Sequence, residues 1–232
     1  MKTVGFIGAY DKTDLIVYVA KILSLSKKKI LIIDATVNQK TKYIVPSINP
    51  TKTYITEFEG IDFAIGFKNI DDIKEYLGNG NKPLEYDIAL LDIDSEEMIK
   101  NYDIQNSYKN CFVTGFDLYT LKRGLELLSN FSTPINITKV FFSLSMVEEE
   151  NEYLNYLSSG YKINWEKEIY NFPIELDNYS VTIDSQIVSR INIKGLSVDF
   201  KESLKYFIEN VFSGDISEKE ISRIFKNIER ET

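Results

Sequence analysis

Gly8, Lys12 and Thr13 lie close together in the stretch "VGFIGAYDKTDLIVYVAKIL" (residues 4–23), between a short apolar run and a helical pattern. A glycine turn followed by Lys-Thr at the start of a helix has the shape of a phosphate-binding loop. Backbone N–H groups and the positive end of the helix face an anion there, and glycine lets the main chain close on it. Asp11 stands where such a loop requires glycine, and it adds a carboxylate beside the place of the anion. Two further acids sit where chemistry is expected. Asp34 closes the apolar run "KKKILIIDAT" (27–36), and Asp92, followed by Asp94, closes "YDIALLDID" (86–94).

The elements that must position these residues follow from periodicity. Strands are expected at 3–9, 27–36, 86–94, 110–115 and 136–144, with a weaker one at 63–67. Several are uninterrupted apolar runs, as in strands buried on both faces of a parallel sheet. Helices are expected at 13–26, 70–80 (stopped by Gly78 and Gly80), 117–131, 197–214 with a Ser or Asp cap, and 217–230. Residues 159–175 fit a short helix or a strand before a proline turn, and the mixed stretch 36–63 fits an interface or an added hairpin. Alternation of strand and helix predicts an α/β fold, a doubly wound, mostly parallel sheet with helices on both faces. No Pro-, Gly- or Ser-rich linker divides the chain, so one domain is expected over 1–232. In such sheets ligands bind at the carboxyl ends of the strands, where the loop at 8–13, Asp34 and Asp92 all fall.

Composition removes several chemistries. The 232 residues include no histidine, which excludes Ser-His-Asp and Cys-His catalysis and His-ligated zinc. Cys111 is the lone cysteine, so no intramolecular disulfide forms, and it reads as a small buried residue entering a strand. With 27 basic and 35 acidic residues the net charge is −8, a poor match for direct DNA binding. The first apolar run ends at six residues, short of a signal-peptide core, and no stretch reaches a membrane span; a cytoplasmic setting is the expectation.

The element order, together with "KILIIDAT", "YDIALLDID", "CFVTGFDLYTLKRGLELL" and "NFPIELDNYSV", resembles the ParA/MinD group of P-loop ATPases over most of the chain. The resemblance implies a P-loop NTPase-like fold, ATP and Mg²⁺ as cofactors, and a face-to-face homodimer. It places Gly8, Lys12, Thr13, Asp34 and Asp92 at the cofactor, with Thr13 and Asp92 at the metal; no residue is assigned a catalytic role. The group's loop reads Gly-Lys-Gly-Gly-x-Gly-Lys-Thr. Aligned on Lys12-Thr13, this chain has Phe6 at the first glycine, Ile7 at the lysine that reaches the partner's nucleotide, Gly8 and Ala9 at the next pair, and Asp11 at the last glycine. Thr36 replaces a second acid after Asp34, Asp94 replaces a proline, and Ser145-Met146 replaces an Asn-Arg or Asn-Lys pair near adenine.

Alternatives remain open at each feature. Lys12-Thr13 could be a solvated lysine and a helix-capping threonine; Asp34 and Asp92 could be polar packing. Asp11 could be a turn residue, could block phosphate, or could pair with Lys12 to fill the pocket. "SKKK" (26–29) reads as a solvated loop. The last helix sets Ile221, Ile224, Phe225 and Ile228 at helical spacing, which fits packing on the domain or a membrane surface. Three functions follow. The first is a degenerate ParA/MinD-like scaffold or localisation factor, dimeric, serving an unidentified protein partner in partition, secretion or pilus assembly. The second is a working ATPase using Lys12, Thr13 and Asp92, stimulated by a partner. The third is a membrane-surface adaptor acting through 217–230.

Overall fold

The apolar runs form strands because alternate side chains enter two separate cores. The computed structural model of the chain describes residues 1–47, 51–80, 82–144 and 148–230. In chain order the elements are β1 (Lys2–Ile7), α1 (Thr13–Leu25), β2 (Ile30–Ala35), α2 (Thr41–Ile44), β3 (Tyr54–Phe58), β4 (Ile61–Ile65), α3 (Ile70–Tyr76), β5 (Ile88–Ile93), α4 (Glu96–Asn101), β6 (Lys109–Thr114), α5 (Leu118–Ser129), β7 (Ile135–Ser143), α6 (Glu148–Leu157), β8 (Ile163–Pro173), α7 (Leu176–Ile187), α8 (Val198–Val211) and α9 (Glu218–Arg230). The eight strands make one sheet in the order β3-β4-β2-β5-β1-β6-β7-β8. Every neighbouring pair is parallel except the β3–β4 hairpin. This is the expected α/β architecture.

In β1, Val4 and Phe6 face one core and Ile7 the other. The first core is covered by α1, α8 and α9, through Leu15, Val19, Leu204, Phe207 and Ile221 among others. The second is closed by side chains of α3 to α6, including Ile73, Ile99, Leu121, Leu125 and Leu154. Caps fix several helix starts: Asn69 accepts from Asp72 N, Asp117 from Thr120 N, and Ser197 from Phe200 N.

The hairpin reading of 36–63 is realised at its far end, where β3 and β4 pair around Glu59-Gly60. Residues 159–175 resolve as a strand; β8 lies at the edge of the sheet, and Glu166, Lys167 and Glu168 keep that edge polar. Trp165, near the amino end of β8, lies against Phe112 at 5.8 Å, donates from Nε1 to Ser158 Oγ at 2.9 Å, and has the Lys139 ammonium 5.1 Å from its ring centre. Helices α6 and α7 lie where the periodicity suggested no element. Cys111 is buried in β6, as expected. The SKKK run is a turn between α1 and β2, at the amino end of the strands and away from the cleft. Among the described residues no helix is long and apolar enough to cross a membrane.

Candidate functional site

Parallel strand ends bring the singled-out residues together. β1 runs into Gly8, whose N–H donates to Ile93 O at 3.1 Å and continues the ladder to β5. Gly8 has φ +151°, and a Cβ there would lie 2.1 Å from Val113 O. Its glycine is therefore required by close packing on β6, independently of any ligand. Ala9, Tyr10 and Asp11 complete the loop, and α1 begins at Thr13. Gly8, Lys12, Thr13 and Asp92 line a cleft of about 340 Å³, together with Asp11, Thr36, Asn38, Lys40, Tyr43 and Asp94. Asp34 stands in register with Asp92 on the adjoining strand but does not line the cleft.

Lys12 corrects one alternative. It is not solvated: it is 2% exposed, its Nζ sits 2.7 Å from Asp92 Oδ1, and it donates to Gly8 O at 3.0 Å. Thr13 corrects another. Its hydroxyl is turned to Asp92 Oδ2 at 3.4 Å, and the N-cap of α1 is Lys12, which caps with no side-chain bond. Apart from the Lys12 ammonium, Asp92 Oδ1 has no hydrogen-bond partner among the described residues. Burial raises the Asp92 carboxyl to about 6; Lys12 opposes the rise and the Asp34 carboxylate adds to it.

Asp11 does not pair with Lys12. Its Oδ1 accepts from Thr13 N at 3.2 Å, so a carboxylate already occupies the start of α1, where the helix end favours an anion. Its Oδ2 is 2.7 Å from Lys40 Nζ, and Lys40 also holds Asp14 at 3.0 Å. Burial pushes the Asp11 carboxyl up, yet Lys40 and the Thr13 N–H outweigh it and leave it below the ordinary carboxylate range. Gln186 of α7 donates to the other oxygen of Asp14 at 3.0 Å, so the chain of contacts runs from the loop to α7. The turn-residue reading of Asp11 is thus realised, with Lys40 as its counter-charge.

The remaining acids are used by the backbone. Asp34 accepts from Thr36 N at 3.1 Å, Thr36 Oγ1 at 2.6 Å and Thr41 N at 3.0 Å. Thr36, in place of a second acid, ties the β2–α2 turn together by accepting from Gln39 N. Asp94 accepts from Val37 N at 2.9 Å and fastens the same turn to the end of β5. Ile7 is a fully buried strand residue. Ser145-Met146 lies outside the described residues. Lys40, Asp14 and Gln186 carry no signal in the sequence. Lys40 lies six residues beyond Asp34 in a stretch without periodicity, and no spacing pairs it with α1.

These contacts test the fit of a Mg-nucleotide. Thr13 Oγ1 and Asp92 are adjacent, the donor pair for a magnesium shell, but the Lys12 ammonium already lies against that carboxylate. A triphosphate at the loop would meet the Asp11 carboxylate on the Thr13 N–H and would have to take Lys12 from Asp92. The arrangement present does not fit it.

Comparisons place the fold. No family model and no curated protein matches the chain. Solved structures do. The ATP complex of a Cyanothece McdA variant aligns at 14% identity over 92% of this chain and 96% of that one, with a TM-score of 0.59. The septum site-determining protein MinD of Pyrococcus horikoshii OT3, complexed with Mg-ADP, aligns at 13% identity over 93% and 98%, with a TM-score of 0.54. A ParA family ATPase from Chlorobium tepidum TLS aligns at 13% identity over 97% of each chain, with a TM-score of 0.52. The chain therefore has a ParA/MinD-like P-loop fold.

Proposed function

We propose that this chain is a single ParA/MinD-like domain that has left ATP turnover behind and serves as a dimeric scaffold or localisation factor, acting through a protein partner in the cytoplasm. The observation that carries the reading is the internal occupation of the loop. Asp11 holds the Thr13 N–H at the start of α1, and Asp92 holds the buried Lys12. Like charges about 4 Å apart repel by roughly 1 to 4 kcal/mol at effective dielectrics of 80 to 20. Asp11 is half exposed and paired with Lys40, so the lower end of that range applies to an incoming phosphate.

Calorimetric titration with Mg-ATP tests this. The expected result is no binding in the micromolar range. Micromolar binding abolished by Lys12→Ala overturns the reading in favour of a working ATPase, which the adjacency of Thr13 and Asp92 would then serve. Light scattering after size exclusion should find a dimer with and without ATP. A membrane role for residues 217–230 has less support, because Ile221, Ile224 and Ile228 are committed to the core.

A further inference from the structure

Helix α7 is built inside out. Its inward residues are mostly polar: Asn178 and Ser185 are buried and Thr182 is half-buried, with Val181 the one inward residue of α7 that packs on the apolar core. Asn178 Oδ1 accepts from Ser197 N at 2.7 Å, Thr182 Oγ1 lies 3.0 Å from Tyr18 OH, and Ser185 bonds back to Val181 O. An apolar stripe faces outward: Leu176, Tyr179, Ile183 and Ile187 recur at helical spacing, with Leu176 84%, Tyr179 66% and Ile187 74% exposed, beside the exposed Asp177, Ser180 and Asp184. An amphipathic helix normally turns its apolar stripe to the core. Here the polar stripe is fastened to the domain and the apolar one is left in water, the mark of an interaction surface.

We propose that this stripe is the docking site for an amphipathic helix of a partner protein that carries lysine or arginine beside its own apolar face. The charge around the stripe selects this occupant. Glu175, Asp177 and Asp184 border it, and no lysine or arginine occurs between Glu168 and Ser189; Lys40, which lines a cleft with Glu175 and Tyr179, is paired with Asp11 and Asp14, and Arg190 follows just beyond the helix. A second copy is disfavoured. Two α7 helices meeting about a two-fold axis set the same acids against one another, in a chain of net charge −8. An anionic lipid surface is repelled by the same acids. A basic amphipathic helix satisfies both demands, with apolar anchors at i, i+3 and i+7 meeting the stripe and cations meeting its border. The inference goes beyond the reading of the cleft and holds whether or not nucleotide binds.

The test uses the full chain and a labelled helical peptide with an apolar stripe at that spacing and lysines on its flanks, followed by fluorescence anisotropy. A second peptide carries glutamates in place of the lysines. The lysine peptide should bind at least tenfold more tightly than the glutamate peptide. Leu176→Ser with Ile187→Ser should weaken it at least tenfold while circular dichroism stays unchanged; both positions are exposed, so the fold does not need them. Failure of the lysine peptide to bind, equal binding of the two peptides, or no effect of the double substitution overturns the proposal. Light scattering and sedimentation with phosphatidylserine vesicles run beside it. A dimer lost in the double variant, or vesicle binding lost in it, gives the stripe to a second copy or to lipid and equally overturns it.

Discussion

At the scale of single residues, the cleft is governed by two internal ion pairs that no spacing rule links: Lys12 with Asp92 and Lys40 with Asp11. Asp11→Gly removes the carboxylate from the Thr13 N–H and leaves Lys40 with Asp14 alone, so Mg-ATP affinity should rise about tenfold by calorimetry, equivalent to about 1.4 kcal/mol. Adding Ile7→Lys, which the loop alignment suggests, should instead unfold the protein, since Ile7 points into the core. Asp92 gives a pH prediction. Its carboxyl is raised from 3.8 to about 6, so the native state holds that proton more tightly than the unfolded chain. The associated stability is complete below about pH 4 and is lost as pH rises through about 6, on the order of 3 kcal/mol. Asp11 and Asp117 are depressed and act in the opposite sense only below their ordinary range, while in the window from about 4 to about 6 the Glu150 carboxyl, raised by burial, acts in the same sense as Asp92, so the Asp92 share is the part that its substitution removes. Urea denaturation across that window should show the fall in wild type and a flatter profile in Asp92→Asn. The sequence made Gly8, Lys12, Thr13, Asp34 and Asp92 visible because a loop and two strand ends mark them. It left Lys40 hidden, since a contact between a turn and α1 has no periodicity.

At the scale of elements, burial decides what each helix can do. Ile221, Ile224 and Ile228 of α9 pack in the core that also holds residues of α1 and α8. Ile224→Ala should therefore cost about 2–5 kcal/mol in urea denaturation, and the full chain should remain in the supernatant when vesicles are sedimented. A chain ending at Gly214 would lose that packing as well as the helix, so the substitution is the cleaner measurement. Long apolar strands and α9 were legible because their apolar residues face inward and show the period directly. β8 was obscured because an edge strand carries charge to protect its free side, and α7 because its anchoring face is polar. The hairpin β3–β4 was only half visible, since short strands around a tight Glu59-Gly60 turn leave a mixed pattern.

At the scale of the molecule, one sheet carries both the cleft at its carboxyl end and the outward α7 stripe beside it, joined through Gln186, Asp14, Lys40 and Asp11. If the cleft is closed by its own charges, thermal unfolding should show the same midpoint with and without millimolar Mg-ATP. A ligand present at roughly a hundredfold excess over its Kd would instead add about 2.7 kcal/mol. The single tryptophan has a practical bearing on such measurements. Trp165 lies near the amino end of β8, the edge strand three places from β1 in the sheet, wedged by Phe112, Ser158 and the Lys139 ammonium. Its emission will follow melting of that edge and stay silent on events at the loop. A fluorescence trace that does not move when nucleotide is added is therefore the same for a filled cleft and a bare one, and a dye attached near α1 would be needed to tell them apart.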